Sequence, residues 1–464
     1  MTLFQGPELS RRAFARLAGT GIIGSWFLPA ARAFERSALA APALSTARNV
    51  IFITMTGAPS HVDTFDLKEG SWTPSDFAPS TFAGDVRWPA GLMPKTAEHL
   101  DRIAIVRSCL AWAAVHDIAE LWAQIARNPT SALGAVAPHL GSVVALELDA
   151  RRDPARDILP SFLSFNTTSA TVLRGKGYYS SRYAPFSVPP PKPEGVPVFT
   201  HPGGEERFAR RWEVLQRLDG AARREAAYGK DVADFDALYA QARAIIQSPE
   251  VSQVLHFTPD EVARYAAADD YYVAYGTTFL LAYKTLASRR GTRFIHISGL
   301  QWDHHSDIYS KESGAESIYK QAGRFDRAFA SLLTDLRATP GEGAGKTLLD
   351  ETLVIAGGEF GRTVGPLNAT RGRDHHLRHS ILFAGGGVGG GRALGRTDAL
   401  GVALLEPGWK AARDVRAEDV AATIYSALGI DYTTTRHDDP LGRGFEYVPG
   451  ARAGQYQPID ELFG

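Results

Sequence analysis

Six short apolar runs, rich in β-branched residues, punctuate the chain at 49–55, 103–106, 161–165, 293–298, 352–356 and 380–384. Continuous apolar stretches of that length, with little alternation, are the pattern of strands buried on both faces. Helical patterns lie between most of them. Over 315–336, Ile318, Ala322, Phe325, Phe329, Leu332 and Leu336 recur at spacings of three and four, which predicts an amphipathic helix. Residues 271–287 are apolar nearly all round and predict a buried helix, and 423–428 predict another, ended by Gly429 as its C-cap. Strands alternating with helices predict an α/β fold with a mostly parallel sheet covered on both faces.

Two regions break the alternation. Residues 185–202 are proline-rich, with Pro189, Pro190, Pro191, Pro193 and Pro197, and predict an extended surface excursion. Residues 205–246 are charged and helical, so 185–290 as a whole is expected to form a helical insert or cap. Its basic cluster around Arg207, Arg210 and Arg211 is read as a solvated helix face. No internal repeat or long low-complexity tract is present.

Composition narrows the function. The 464 residues suffice for one large domain with a buried core. With 50 basic and 51 acidic side chains there is no basic excess of the kind nucleic-acid binders carry. Cys109 is the single cysteine, which excludes an intrachain disulfide and a thiolate zinc cluster, so any metal must take oxygen and nitrogen ligands. At the N-terminus, Arg11-Arg12-Ala13-Phe14 precedes a short apolar stretch (17–28), then Ala31-Arg32-Ala33 and Ala38-Leu39-Ala40 as candidate cleavage sites. Charged, then apolar, then A-x-A is the order of an export signal. The paired arginines predict the twin-arginine machinery as a partner, with residues 1–40 as signal and leader and 41–464 as a single periplasmic or otherwise extracytoplasmic domain. The apolar stretch falls short of the ~20 residues a membrane span needs, so the mature chain is expected to have no integral membrane segment.

In open α/β sheets, ligands sit beyond the carboxyl ends of the strands. Three of the runs are followed at once by acids and histidines: His61, Asp63 and Asp66 after the first, Asp303-His304-His305 after 293–298, and Glu359-Phe360-Gly361-Arg362 after 352–356. A fourth cluster, Arg373-Asp374-His375-His376, lies just before the run at 380–384. Asp, Glu and His together suit one or two divalent ions such as zinc, manganese or iron, which polarise an ester oxygen and acidify water. Each residue alone also fits a local role: Asp303 as a helix cap, Glu359 paired with Arg362, His304 or His376 as exposed loop residues. Their concentration at one sheet edge favours a metal site. The run from Gly385 to Gly391 lacks a following Lys-Ser/Thr and is read as a tight turn between two strands rather than a phosphate loop. No G-x-S-x-G elbow supports a serine triad.

Taken in order, Gly57-Ala58-Pro59-Ser60-His61-Val62-Asp63-Thr64-Phe65-Asp66, Trp302-Asp303-His304-His305, Glu359-Phe360-Gly361-Arg362-Thr363, Gly372-Arg373-Asp374-His375 and the glycine run with Gly395-Arg396-Thr397-Asp398 resemble a widespread bacterial family of exported, sulfatase-like proteins of unknown function. That family is attributed to the alkaline phosphatase/sulfatase superfamily. The resemblance implies a three-layer α/β/α sandwich and phosphate- or sulfate-ester chemistry on a small-molecule or polysaccharide substrate. It implies metal ligands among Asp303, His305 and His375, with Asp63, Glu359 and Asp374 as further candidates. Where the superfamily has a histidine beside the acid, Phe360 stands, which points to a reduced or single-ion site. His116 falls at the nucleophile position, at the start of a helix, and is read as a ligand or acid/base group. Arg362 is the second catalytic candidate, and His61, His304 and His376 are candidates to line the substrate. A non-catalytic exported module that keeps the fold is the rival expectation.

Overall fold

The computed structural model describes residues 43–84, 86–165, 172–197, 203–224, 230–267, 273–299, 301–312 and 316–464. The export signal expected in residues 1–40 lies outside them.

An eight-stranded sheet organises the chain. Its strands are β1 (Asn49–Met55), β2 (Ile103–Leu110), β3 (Phe162–Phe165), β4 (Phe186–Val188), β5 (Phe294–Gly299), β6 (Thr352–Gly357), β7 (Arg378–Ala384) and β8 (Arg392–Leu394). The spatial order is β8-β2-β7-β6-β1-β5-β3-β4. β1 is parallel to both β5 and β6, β3 to β5 and β4, and β8 to β2, whereas β7 runs antiparallel to both of its neighbours. Seven strands therefore point one way and β7 alone points back. The predicted glycine turn joins β7 to β8.

Helices cover both faces: α1 (His116–Ile125), α2 (Leu140–Glu147), α3 (Gly204–Arg224), α4 (Lys230–Gln247), α5 (Pro249–Leu255), α6 (Pro259–Tyr265), α7 (Val273–Ala287), α8 (Ile318–Ala338) and α9 (Ala417–Ala427). The period of two along a strand divides the core. Ile51, Ile53 and Met55 of β1 pack with Phe279 of α7 and Phe325 and Leu332 of α8. Val50 and Phe52 pack on the opposite face with Val143 of α2 and Tyr425 of α9. This is the expected three-layer sandwich, and its central strands are buried on both sides. α9 ends as predicted: Gly429 takes φ 72°, and the Ile430 N–H reaches back to the Tyr425 carbonyl at 2.9 Å. The proline-rich excursion contributes the short edge strand β4, and Arg207, Arg210 and Arg211 of α3 are solvent-exposed. Among the described residues, no helix is long and apolar enough to cross a membrane.

The topology explains why one acidic cluster precedes its strand while the others follow theirs. β1, β2, β5 and β6 all end at the same sheet edge, and β7, running backwards, begins there. The chain entering β7 and the chains leaving the other four therefore meet.

Candidate metal centre

Each of these connections is held by backbone geometry that the sequence dictates. Gly57, just after β1, sits at φ 88°, and a Cβ there would lie 2.8 and 2.9 Å from the backbone nitrogens of Asp303 and Trp302. Only glycine lets the first loop press onto the loop after β5. Gly372 is as tightly confined: its missing Cβ would fall 2.0 Å from the carbonyl carbon of His305. Beyond it, His375–His376 pairs antiparallel with Gly361–Arg362 as a two-stranded ribbon, with His375 opposite Arg362. After β2, Val115 caps α1 with no side-chain hydrogen bond, and His116 is the first helical residue.

Four side chains converge here. One ligand atom from each of His116, Asp303, His305 and His375 lies within 4.8 Å of all the others. His375 Nε2 is 3.0 Å from His116 Nε2 and 3.0 Å from His305 Nε2. Asp303 Oδ1 is 3.0 Å from His305 Nε2, 3.4 Å from His116 Nε2 and 3.7 Å from His375 Nε2. The other nitrogen of every ring faces an acceptor: His116 Nδ1 meets Glu359 Oε1 at 2.5 Å, His305 Nδ1 meets Asp374 Oδ1 at 2.9 Å, and His375 Nδ1 meets the Ala114 carbonyl at 2.8 Å. A neutral imidazole so placed carries its proton on Nδ1 and turns the Nε2 lone pair inward. With all three rings neutral, three lone pairs and a carboxylate oxygen share one space, which a cation could bridge, beside the Arg362 guanidinium that meets His305 Nε2 at 3.3 Å and Asp303 Oδ1 at 2.5 Å. Histidine ligands braced outward by carboxylate or carbonyl are the usual second layer of a metal site.

Charge at the centre follows from the same contacts. Burial alone would lower His116, but its hydrogen bonds to Asp303 and Glu359 raise it to about 9. Burial would raise Asp303, yet hydrogen bonds from His116 and Arg362 hold its carboxyl far below the ordinary range. Burial lowers His375, and the hydrogen bond from His305 keeps the Asp374 carboxyl low.

The remaining candidates surround this cluster at different depths. Glu359 is buried and does not pair with Arg362; one oxygen serves His116 and also accepts from the Gly57 N–H at 3.1 Å. Arg362, 1% exposed, donates to Asp303 Oδ1 at 2.5 Å and to the carbonyls of Gly57, Ala58 and Arg373, so it ties three loops together. Asp374 braces His305 from outside. His304 is buried with Nε2 on the Glu316 carbonyl at 2.9 Å, turned away from the centre. His61 is buried against half-buried His376, ring centroids 6.0 Å apart. Asp63 is not brought to the cluster. It is fully buried and occupied: Arg373 Nε and the Ser60 hydroxyl each donate to Oδ2 at 2.6 Å, and the Tyr309 hydroxyl donates to Oδ1 at 2.7 Å. With its lone pairs taken, Asp63 anchors the arginine two residues before His375 instead of facing an ion. Phe360 packs on the rings of His116 and His375 at 4.7 and 4.6 Å, so that side of the cluster is apolar.

Sequence reasoning passed over Arg373 and Tyr309, although Arg373 stands inside a motif it had singled out. It also passed over Glu120, one turn along α1 from His116. Burial and nearby Glu359 push this carboxyl up to about 7, and its Oε1 has no hydrogen-bond partner among the described residues.

Residues 47–453 match the family described as "Protein of unknown function (DUF1501)". A search of curated proteins gives no match. Among solved structures, Ps i-CgsB in complex with k-i-k-neocarrahexaose is similar at 11% identity and TM-score 0.42, over 89% of this chain and 79% of that one. The lipoteichoic acid synthase LtaP from Listeria monocytogenes is similar at 9% identity and TM-score 0.36, over 90% and 81%. The phosphonate monoester hydrolase of Agrobacterium radiobacter is similar at 12% identity and TM-score 0.38, over 90% and 77%.

Proposed function

The chain belongs to the family described as Protein of unknown function (DUF1501), and we propose that it is a metal-dependent hydrolase of a phosphate or sulfate ester that works outside the cytoplasm. The observation that carries this reading is the inward convergence of three Nε2 atoms with Asp303 Oδ1, the Nδ1 of each ring meeting its own acceptor. His116, Asp303, His305 and His375 would hold the ion, and Phe360 in place of another polar side chain favours one ion over two. A nitrogen-rich set with one carboxylate suits zinc, with manganese or iron as the other candidates.

A divalent ion in that set supplies Lewis acidity toward an ester oxygen. The chain's own residues do the rest. The N-terminus of α1, which its N-cap Val115 leaves without a side-chain hydrogen bond, lies at His116 and favours an anionic group there. Glu359 holds the proton on His116 Nδ1, and Arg362 keeps Asp303 ionised and aimed inward. The paired arginines and apolar stretch at the N-terminus support export by the twin-arginine route.

The test is metal analysis of purified protein together with turnover of a panel of phosphate and sulfate monoesters, run in parallel on His305→Ala. The reading expects about one ion per chain and turnover that disappears with the ion in the variant. A protein that takes up no divalent ion and cleaves no ester would overturn it.

A further inference from the structure

The surroundings of the centre are lopsided. On the side of the 368–374 loop the neighbours are polar: Asn368, Thr370 and Asp374 hydrogen-bond to one another or to His305. On the other side they are apolar and in solvent. Val115, immediately before His116, is 56% exposed, and Leu377, two residues after His375, is 39% exposed. Leu400 and Val402 are 46% and 42% exposed. Hydrogen bonds bring these positions to one stretch of chain. The Ala111 N–H reaches the Leu377 carbonyl at 2.9 Å, and His375 Nδ1 faces the Ala114 carbonyl, so 111–115 runs along one flank of 375–377. Arg378 Nε donates to the Val402 carbonyl at 2.8 Å and His61 Nε2 faces the Gly401 carbonyl at 3.4 Å, so 400–402 meets the ends of the Arg378 and His61 side chains, next to His376. Single exposed apolar side chains need no explanation, but several bordering a polar centre mark a recognition surface.

The occupant follows from continuity with the centre. A ligand whose anionic group sits among His116, Asp303, His305 and His375 must lay its remainder over one flank or the other. The apolar flank offers hydrocarbon surface close to the centre, with exposed Asp117 and half-buried His376 as its polar neighbours. Its one exposed indole, Trp112, is not an open stacking platform: Trp122 stacks on it at 5.6 Å, the Arg416 guanidinium lies over its ring at 4.0 Å, and its N–H is bound to Glu418. We propose that this flank binds the hydrocarbon group of the ester, so that the preferred ligand is an amphiphile, an alkyl phosphate or sulfate, with its chain over Val115 and Leu377. This rests on the metal-centre reading and adds the substrate class.

Phosphonates, which carry the anionic group but cannot be hydrolysed as esters, separate the two ideas. Methylphosphonate and hexylphosphonate are titrated into metal-loaded protein by calorimetry, beside turnover of methyl, hexyl and glucosyl phosphates. We expect hexylphosphonate to bind at least tenfold more tightly than methylphosphonate, and that ratio to fall at least threefold in Val115→Ser and in Leu377→Ser, whose exposed positions carry no core packing. Tight, chain-length-dependent phosphonate binding with no turnover of any ester would retain the amphiphile site and remove the hydrolase reading. Equal affinities for the two phosphonates, no binding of either, or a preference for the glucosyl ester overturns the amphiphile site whatever the turnover.

Discussion

Glu359 Oε1 lies 2.5 Å from His116 Nδ1, and this contact decides which nitrogen of His116 faces the other three candidate ligands. The carboxylate is buried and arrives from the end of β6, while the imidazole opens α1 after β2. Two strands separated by β7 in the sheet thus set one tautomer. Replacing such a brace costs ~10- to 100-fold in metal affinity. Glu359→Gln should keep the fold, because glutamine can still accept from the Gly57 N–H. It should weaken zinc binding by one to two orders of magnitude, read by competition with a chromogenic chelator. Unchanged affinity would show that the contact does not orient a ligand.

Asp63 and Arg373 form an ion pair in which both side chains are fully buried. Removing one partner of such a pair leaves an uncompensated charge and costs ~3–5 kcal/mol. Asp63→Ala should therefore lower the urea midpoint strongly, through a guanidinium stranded beside Tyr309. If Asp63 were a ligand, the variant would instead lose metal with little change in the stability of the metal-free protein. The two measurements, made on the same variant, distinguish brace from ligand.

What the sequence revealed and what it concealed divide along physical lines. Runs such as 49–55 and 352–356 were legible because a strand buried on both faces has no choice but to be apolar. Edges were less so: β2 continues past 106 through Arg107, Ser108 and Cys109, and β7 starts at Arg378, because a buried arginine with partners, such as Arg107 or Arg378, continues a strand without an apolar signal. α9 starts at Ala417, six residues before the predicted 423, since Asp419 is buried against Arg413. At the centre, the clusters at the sheet edge showed where a site lies, and the family resemblance grouped Asp303, His305 and His375 as its ligands. It could not tell Asp63 from them, because whether a carboxylate meets an ion or an arginine depends on a partner 310 residues away.

Acid should unfold the protein through histidines remote from the centre. His139 and His296 pack ring against ring at 5.1 Å inside the core, and burial lowers both, His296 to about 3. A histidine whose folded pKa lies below its unfolded value near 6.5 binds protons more readily when unfolded. Its contribution is present above that value and is lost as pH falls toward 3, at up to ~1.4 kcal/mol per pH unit for each ring. His139 also caps α2 by accepting from the Gly141 N–H. Asparagine can do the same, so His139→Asn removes the titrating ring and keeps the cap. Urea midpoints at pH 7, 6, 5 and 4 should fall less steeply in the variant than in the parent; parallel curves would exclude His139 as a source of acid lability.

Metal binding should release a proton. Hydrogen bonds to Asp303 and Glu359 outweigh burial and hold His116 at about 9. At neutral pH the metal-free centre therefore carries a proton on the Nε2 that an ion would use. An ion and a proton compete for that lone pair, so the apparent affinity should climb about tenfold per pH unit through pH 7 and 8 and level off near 9. The sign is fixed by the direction of the shift: a lowered His116 would give affinity independent of pH across this range. Calorimetry of zinc binding at pH 7.5 in two buffers of different ionisation enthalpy measures the count directly, and we expect close to one proton released per ion. Glu359→Gln removes one of the two carboxylates that raise His116 and leaves Asp303, so the release at pH 7.5 should become smaller without vanishing. Release that is absent in the parent, or undiminished in the variant, would place the competing proton elsewhere and dissolve the link between His116 and the ion.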